Sequence, residues 1–201
     1  MRSRASLWLA RRNKRRSIPF SKGIFRTVLL CLFVLASVLA SVQSRAGSFS
    51  SDELEAAFIG QLFNYVELPG PSLRKDSLEP FVVSVVGTSP LLQELNKLAL
   101  TKAVNGRKIV IQSVESGDKI KKSHAVVILS ENKEALDQTL KKLKGTGILT
   151  ISQNPGFASR GVMVNFFVEG EKVRFEINAK SLKNEKITVS SQLLKLARLV
   201  E

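Results

Sequence analysis

From residue 51 onward the chain alternates between two hydrophobic periods. "SSDELEAAFIGQLFNYVEL" opens with Ser and Asp and brings Ala57, Phe58, Leu62, Tyr65 and Val66 round at three- and four-residue intervals, which predicts a helix with one apolar face. Its early Ser, Asp and Glu suit the free amides and the positive end of the helix dipole, and "LPGP" at 68–71 stops it. "FVVSVVG" (81–87) is a β-branched run closed by Gly87, the pattern of a strand buried on both faces. "SPLLQELNKLAL" follows, with Ser89 as cap, Pro90 in the first turn and Leu91, Leu92, Leu95 and Leu98 on one side, predicting a second helix. "GRKIVIQSV", "HAVVILS" (124–130) and "GILTIS" read as further strands. "ENKEALDQTLKKLKG", acidic early, lysine-rich late and stopped by Gly145, reads as the helix between the last two.

Strand and helix in alternation predict a largely parallel sheet with helices on its faces. The next two strands, "VMVNFFVEG" and "EKVRFEIN", follow each other directly across Gly170 and alternate apolar with polar, which is a β-hairpin and makes the sheet mixed. "ITVSSQLLKLARLV" then predicts a closing helix capped by Ser190 or Ser191, with Leu193, Leu196, Ala197 and Val200 on one face and Lys195 and Arg198 towards the other. The fold class is therefore α/β: a single domain with a mixed, mostly parallel sheet flanked by helices and ending in a β-hairpin and helix.

Charge changes the picture at the N-terminus. The whole chain carries a formal net charge of +14, a balance that often accompanies nucleic-acid binding. Residues 1–46, however, hold ten Lys/Arg and no acidic residue, which leaves 21 Lys/Arg against 17 Asp/Glu in the body. The basic excess belongs to a leader: a positive stretch to Arg26, an uncharged run "TVLLCLFVLASVLA" (27–40), then small residues. That order is a secretory signal peptide, cleaved after Ala46 or Ala40. The run is shorter than the ~20 residues of a membrane span, and an uncleaved anchor is the alternative. "RRSIPFSK" is a loose match to a twin-arginine export signal, so the route of export stays open. Cys31, the sole cysteine, lies inside the apolar run. The mature domain, 47–201, would then be a periplasmic protein held by its core alone, which its length permits.

Chemistry is sparse. The single His124 precedes an apolar strand, and no G-x-S-x-G elbow, phosphate loop or metal-ligand spacing occurs. Carboxylate pairs fall in helix starts or the hairpin turn. The basic run "DKIKKSH" has no interleaved aromatic residue, unlike a single-strand nucleic-acid groove. An enzyme is not expected, nor a cofactor, a metal site or a nucleic-acid partner. The loop "SQNPGFASRG" (152–161) stands at the end of a parallel strand, where α/β sheets bind ligands. There Phe157 is either a contact residue or a cap on the core, and Arg160 could orient an anion or a partner carboxylate. Arg174 and Glu176 share one face of the hairpin, and Asn178 follows them; with Phe157 and Arg160 they form the candidate partner- or ligand-binding set.

The blocks "EAAFIGQLFNYVELP", "VNGRKIVIQSV", "AVVILS", "LTISQNPGFASRGVMVNFFVEGEKVRFEINAKS" and "ITVSSQLLKLARLV", in this order, resemble the YfiR-like family of periplasmic proteins over residues 51–200. The "GF" before the hairpin, "RFEIN" and "SSQLLKLA" are the most specific pieces. The resemblance implies a regulatory protein, often dimeric, that binds and inhibits the periplasmic part of an inner-membrane diguanylate cyclase. It would thereby lower cyclic di-GMP and biofilm formation, and an outer-membrane lipoprotein is a further partner it implies. Two positions depart from the family pattern: Ser123 stands where many relatives have Cys, and Gln153 where they often have Asp. The rival expectation is a periplasmic small-molecule binder serving a transporter or sensor kinase.

Overall fold

The structure, a computed structural model, describes residues 50–70, 79–115, 120, 122–170 and 172–201. The leader with its two candidate cleavage sites, and Asp118, Lys119 and Lys121 of the "DKIKKSH" run, lie outside these residues. Strands and helices alternate as the hydrophobic pattern requires. Helix α1 (Ser51–Leu62) leads through the short strand β1 (Val66–Glu67) to β2 (Phe81–Val86), α2 (Pro90–Thr101), β3 (Ala103–Val104), β4 (Arg107–Ser113) and β5 (Ala125–Ile128). Then come α3 (Lys133–Leu143), β6 (Leu149–Ser152), β7 (Val164–Glu169), β8 (Lys172–Asn178), α4 (Ala179–Asn184), β9 (Thr188–Val189), α5 (Ser191–Leu194) and β10 (Arg198–Val200).

Eight strands form one sheet in the order β10-β8-β7-β6-β5-β2-β4-β3, and β1 pairs with β9 in a separate ribbon. The central strands β4, β2, β5, β6 and β7 run parallel, with Val83 opposite Ile111, Val127 opposite Ile151 and Ser152 opposite Asn165. β8 turns back on β7, pairing Phe166 with Phe175. β2, β5 and β6 are buried along nearly their whole length because both their faces are covered. On one face Val83, Val85, Val127 and Ile151 pack with Ala56, Ile59 and Leu62 of α1 and Leu91 and Leu95 of α2. On the other, Val86, Val126 and Ile128 pack with Leu136 and Leu143 of α3, Ile148, Phe157 and Val162. Both layers draw on residues 56–197, within one compact unit.

The helix starts follow their capping residues. Glu53 N–H donates to Ser50 Oγ at 3.1 Å and Ala135 N–H to Asn132 Oδ1 at 2.9 Å. Ser89 differs: its hydroxyl makes no cap bond and instead accepts from Gln153 Nε2 at 3.2 Å. The end of the chain is a larger departure. The helix begins at the Ser190 cap but stops at Leu194, and Arg198–Val200 then forms β10, parallel to β8, with Leu199 opposite Ile177. The outer edge of β8 offers unpaired backbone groups, and pairing them outweighs the local helical period.

Gly87 ends β2 with φ +89°, and a Cβ there would stand 2.6 Å from the backbone nitrogen of Ser130. Gly87→Ala is therefore expected to cost about 2 kcal/mol or more, as left-handed strain plus a backbone clash. Gly145→Ala, at φ +74° with nothing near its Cβ, should cost about 1 kcal/mol. Urea midpoints of the two variants check the order.

Candidate functional site

The five sequence-derived residues divide between two places. Phe157 is 2% exposed and buried against the α3 layer. Its loop is held by Asn178, whose Nδ2 donates to Ala158 O at 2.9 Å while its Oδ1 accepts from Ser181 N–H at 2.7 Å and caps α4. Both residues serve the loop rather than the surface: the aromatic ring caps the core. Arg160, on the same loop, is exposed and paired with Asp137 at 2.6 Å.

Arg174 and Glu176 lie together on the outer face of the hairpin, but with separate partners. Arg174 Nε pairs with Glu169 at 2.7 Å, both half-exposed. Glu176 is almost buried and receives Arg198, whose Nε donates to Oε1 at 3.0 Å, with Nη2 on the same oxygen. The Arg198 guanidinium also sits 4.3 Å over the Phe167 ring. Asn165, opposite Glu176, donates to it at 3.5 Å and leaves its buried Oδ1 without a partner. This face is a polar ladder whose charges are already matched.

The other face of the same hairpin carries a feature that the periodicity concealed. Phe58, Gln61 and Leu62 of α1, Tyr65 just after it, Phe166 and Phe175 of the hairpin, and Gln192, Leu193 and Leu196 around α5 line an open apolar groove of about 270 Å³. Phe58 is 45% exposed, Tyr65 41% and Leu196 73%. The expected apolar stripe of α1 is thus corrected: Glu55, Ala56, Ile59 and Leu62 face the core, and the Phe58–Tyr65 edge is left for the groove. Only the spacing of Phe58, Leu62 and Tyr65 signalled it, and that spacing fits a core face equally well.

His124 is buried at the start of β5. Its Nδ1 accepts from Val82 N–H at 3.0 Å, its Nε2 lies 2.9 Å from Arg107 Nη2, and its ring stacks on Phe81. Arg107 in turn donates to Glu79 O at 2.6 Å and Pro80 O at 3.2 Å. The histidine closes the entry to two strands. Ser123 is also buried, hydrogen-bonded to Ser84 Oγ at 2.5 Å. Among the described residues, no three His, Cys, Asp or Glu side chains converge as metal ligands do, and no helix is long and apolar enough to cross a membrane.

A family model described as YfiR/HmsC-like matches residues 52–198, from the first turn of α1 into β10. The chain belongs to the YfiR/HmsC-like family. No curated protein sequence matches it significantly. A crystal structure of a conserved domain protein from Vibrio cholerae O1 biovar El Tor is similar in fold, at 13% identity and TM-score 0.51, covering 76% of this chain and 60% of that one. An ABC domain in complex with L-Trp from Streptococcus pneumonia aligns at 11% identity and TM-score 0.46, over 60% of this chain and 55% of that one, too distant to carry an argument. The chain thus spans less than two thirds of each of these structures.

Proposed function

We propose that this YfiR/HmsC-like protein is exported by its leader, cleaved after Ala46 or Ala40, and acts in the periplasm as an inhibitor of an inner-membrane diguanylate cyclase. It would bind the cyclase's periplasmic part and favour its inactive arrangement by the difference in affinity for the two states, lowering cyclic di-GMP. The observation that carries the reading is the family match across the whole α/β body, 52–198. The groove supports it, because aromatic side chains left half-exposed beside a buried floor are the usual anchors of a protein interface. In this reading Phe58, Tyr65 and Leu196 supply the apolar contact, and Arg160 and Arg174 act as exposed rim charges. Glu176 acts through Arg198, while Phe157 and Asn178 fix the loop.

The test begins with tagged 47–201 used to capture proteins from detergent-solubilised membranes, followed by cyclic di-GMP synthesis by the captured cyclase with and without the protein. Phe58→Glu with Leu196→Glu is expected to weaken capture by about thirtyfold with the circular dichroism spectrum unchanged. Undiminished capture would remove the groove from the interface. The volume of the groove, about 270 Å³, close to that of small-ligand sites, favours a second reading: a small-molecule binder serving a transporter or sensor kinase. Recovery of either protein in place of a cyclase, with a ligand that raises the melting temperature of 47–201 alone, would select it.

A further inference from the structure

The body's modest net charge hides a strongly basic face. Glu185, just after α4, binds the end of α3: its Oε1 accepts from Gly145 N–H at 2.7 Å and its Oε2 from Gly147 N–H at 2.9 Å. A second contact holds the same two helices, since Leu140 of α3 and Ser181 of α4 both border Gly161. Together these bring Lys141, Lys142 and Lys144 alongside Lys180, Lys183 and Lys186, all six exposed. The carboxylates of these two helices and the turns after them are Glu134, Asp137 and Glu185; Asp137 is paired with Arg160 and Glu185 is engaged with backbone amides, so the six lysines still outnumber them, whereas the whole body has an excess of only four. None of the six takes part in an ion pair among the described residues.

Six unpaired like charges on one face repel one another, so the arrangement suits something anionic laid against it. The residue types narrow the class. All six are lysines, point charges on flexible stems, without the fork that fixes a single carboxylate or phosphate bidentately; the nearby Arg160 is taken by Asp137. None of the large exposed apolar residues, Phe58, Tyr65, Leu100, Val110, Val168, Leu196 and Leu199, belongs to α3 or α4. A tight protein interface wants a desolvated anchor and a nucleic-acid strand wants stacking platforms, and the face offers neither. A fluid sheet of phosphate headgroups needs only the cations. We infer that the α3–α4 face docks the protein on an anionic lipid bilayer through these lysines. α3 packs in the core layer opposite α1 and α4 puts Leu182 in the layer of α1, but no residue of α3 or α4 lines the Phe58–Leu196 groove, which a bilayer on the lysines leaves free. The inference takes from the proposed function only the exported location, where the outer surface of the inner membrane supplies such lipids.

Co-sedimentation of 47–201 with vesicles tests it. The protein should bind phosphatidylcholine vesicles containing roughly a third phosphatidylglycerol and not phosphatidylcholine alone, with binding lost as salt rises to about 0.5 M. Each lysine near the surface contributes about fivefold to partitioning. Reversal of Lys141, Lys142, Lys183 and Lys186 to Glu should therefore lower it at least about tenfold. The same number of reversals at Lys97, Lys102, Lys108 and Lys172, all exposed and none on α3 or α4, should leave most of the binding. If the first variant fails to fold, the corresponding four Lys→Gln changes serve. Equal binding to both vesicle types, or equal loss in both reversal sets, would overturn the inference. So would absence of vesicle binding together with loss of membrane-protein capture in the lysine variant, which would make an acidic protein the partner. Phe58→Glu with Leu196→Glu should keep vesicle binding whatever becomes of cyclase capture, so the two readings fail separately.

Discussion

Phe157→Ala is expected to destabilise the domain by about 3–5 kcal/mol, lowering the melting temperature by roughly 6–20 °C at this size. The ring is almost fully enclosed by the second core, with Leu136, Leu143, Ile148 and Val162. The substitution removes its transfer energy and leaves a cavity that the loop is poorly placed to fill. Phe157 N–H donates to Asn154 O at 3.2 Å, while Arg160 N–H and Val162 N–H both donate to Phe157 O at 3.1 Å, and Asn178 holds Ala158. The loop is thus pinned on both sides of the ring, and collapse into the void would break those bonds. Arg160→Ala, three residues on, should cost no more than about 1 kcal/mol, because its pair with Asp137 is solvent-exposed. Thermal melts of the two variants separate the roles. Equal small shifts would mean that the ring is not seated in the core and would reopen Phe157 as a surface contact.

The uneven legibility of the sequence has the same origin. β2 and β5 were plain from their apolar runs because both faces of the sheet are covered there, and the starts of α1 and α3 showed in the Ser and Asp of the one and the early Glu of the other because capping and dipole effects are local. The β7–β8 hairpin was visible for a similar reason: the Phe166, Val168, Val173, Phe175 and Ile177 alternation is set by neighbours two residues away. β10 was not visible. Leu193, Leu196, Ala197 and Val200 satisfy a helical period as well as any strand, and only the free edge of β8 and the carboxylate of Glu176 decide for the strand. The two-residue strands carry no period at all, although Asn105-Gly106, at φ 50° and 80°, is the turn signal that pairs Val104 with Arg107 in β3 and β4. α4 reads as a polar excursion because it buries a single side chain, Leu182. The groove was hidden more deeply: whether Phe58 and Tyr65 point at a core or at solvent depends on how α1 is rolled against β7 and β8, and on where α5 stops short.

Glu55→Gln is expected to raise stability above neutral pH by up to about 3 kcal/mol and to leave it nearly unchanged near pH 4. Glu55 faces inward from α1 beside Ala56 and Ile59. Burial, with the negative charge of Asp52 one turn earlier as the lesser cause, raises its carboxyl from an ordinary 4.5 to about 7. The folded state therefore holds this proton more tightly than the unfolded chain. For an acid raised in this way the sign opposes the usual carboxylate case. Its contribution is fully present below about pH 4.5, declines as the unfolded chain ionises first, and levels off above about pH 7, where both states are charged. A shift from 4.5 to about 7 corresponds to the ~3 kcal/mol ceiling at about 1.4 kcal/mol per pH unit. Glutamine fills nearly the same space without the charge, so the variant should lack the decline. Urea unfolding of both proteins from pH 4 to pH 8 gives the answer directly. Curves that converge at the acid end and separate towards pH 8 place an ionised carboxylate in the core layer of α1, whereas parallel curves would mean that the side chain swings out to water when it ionises.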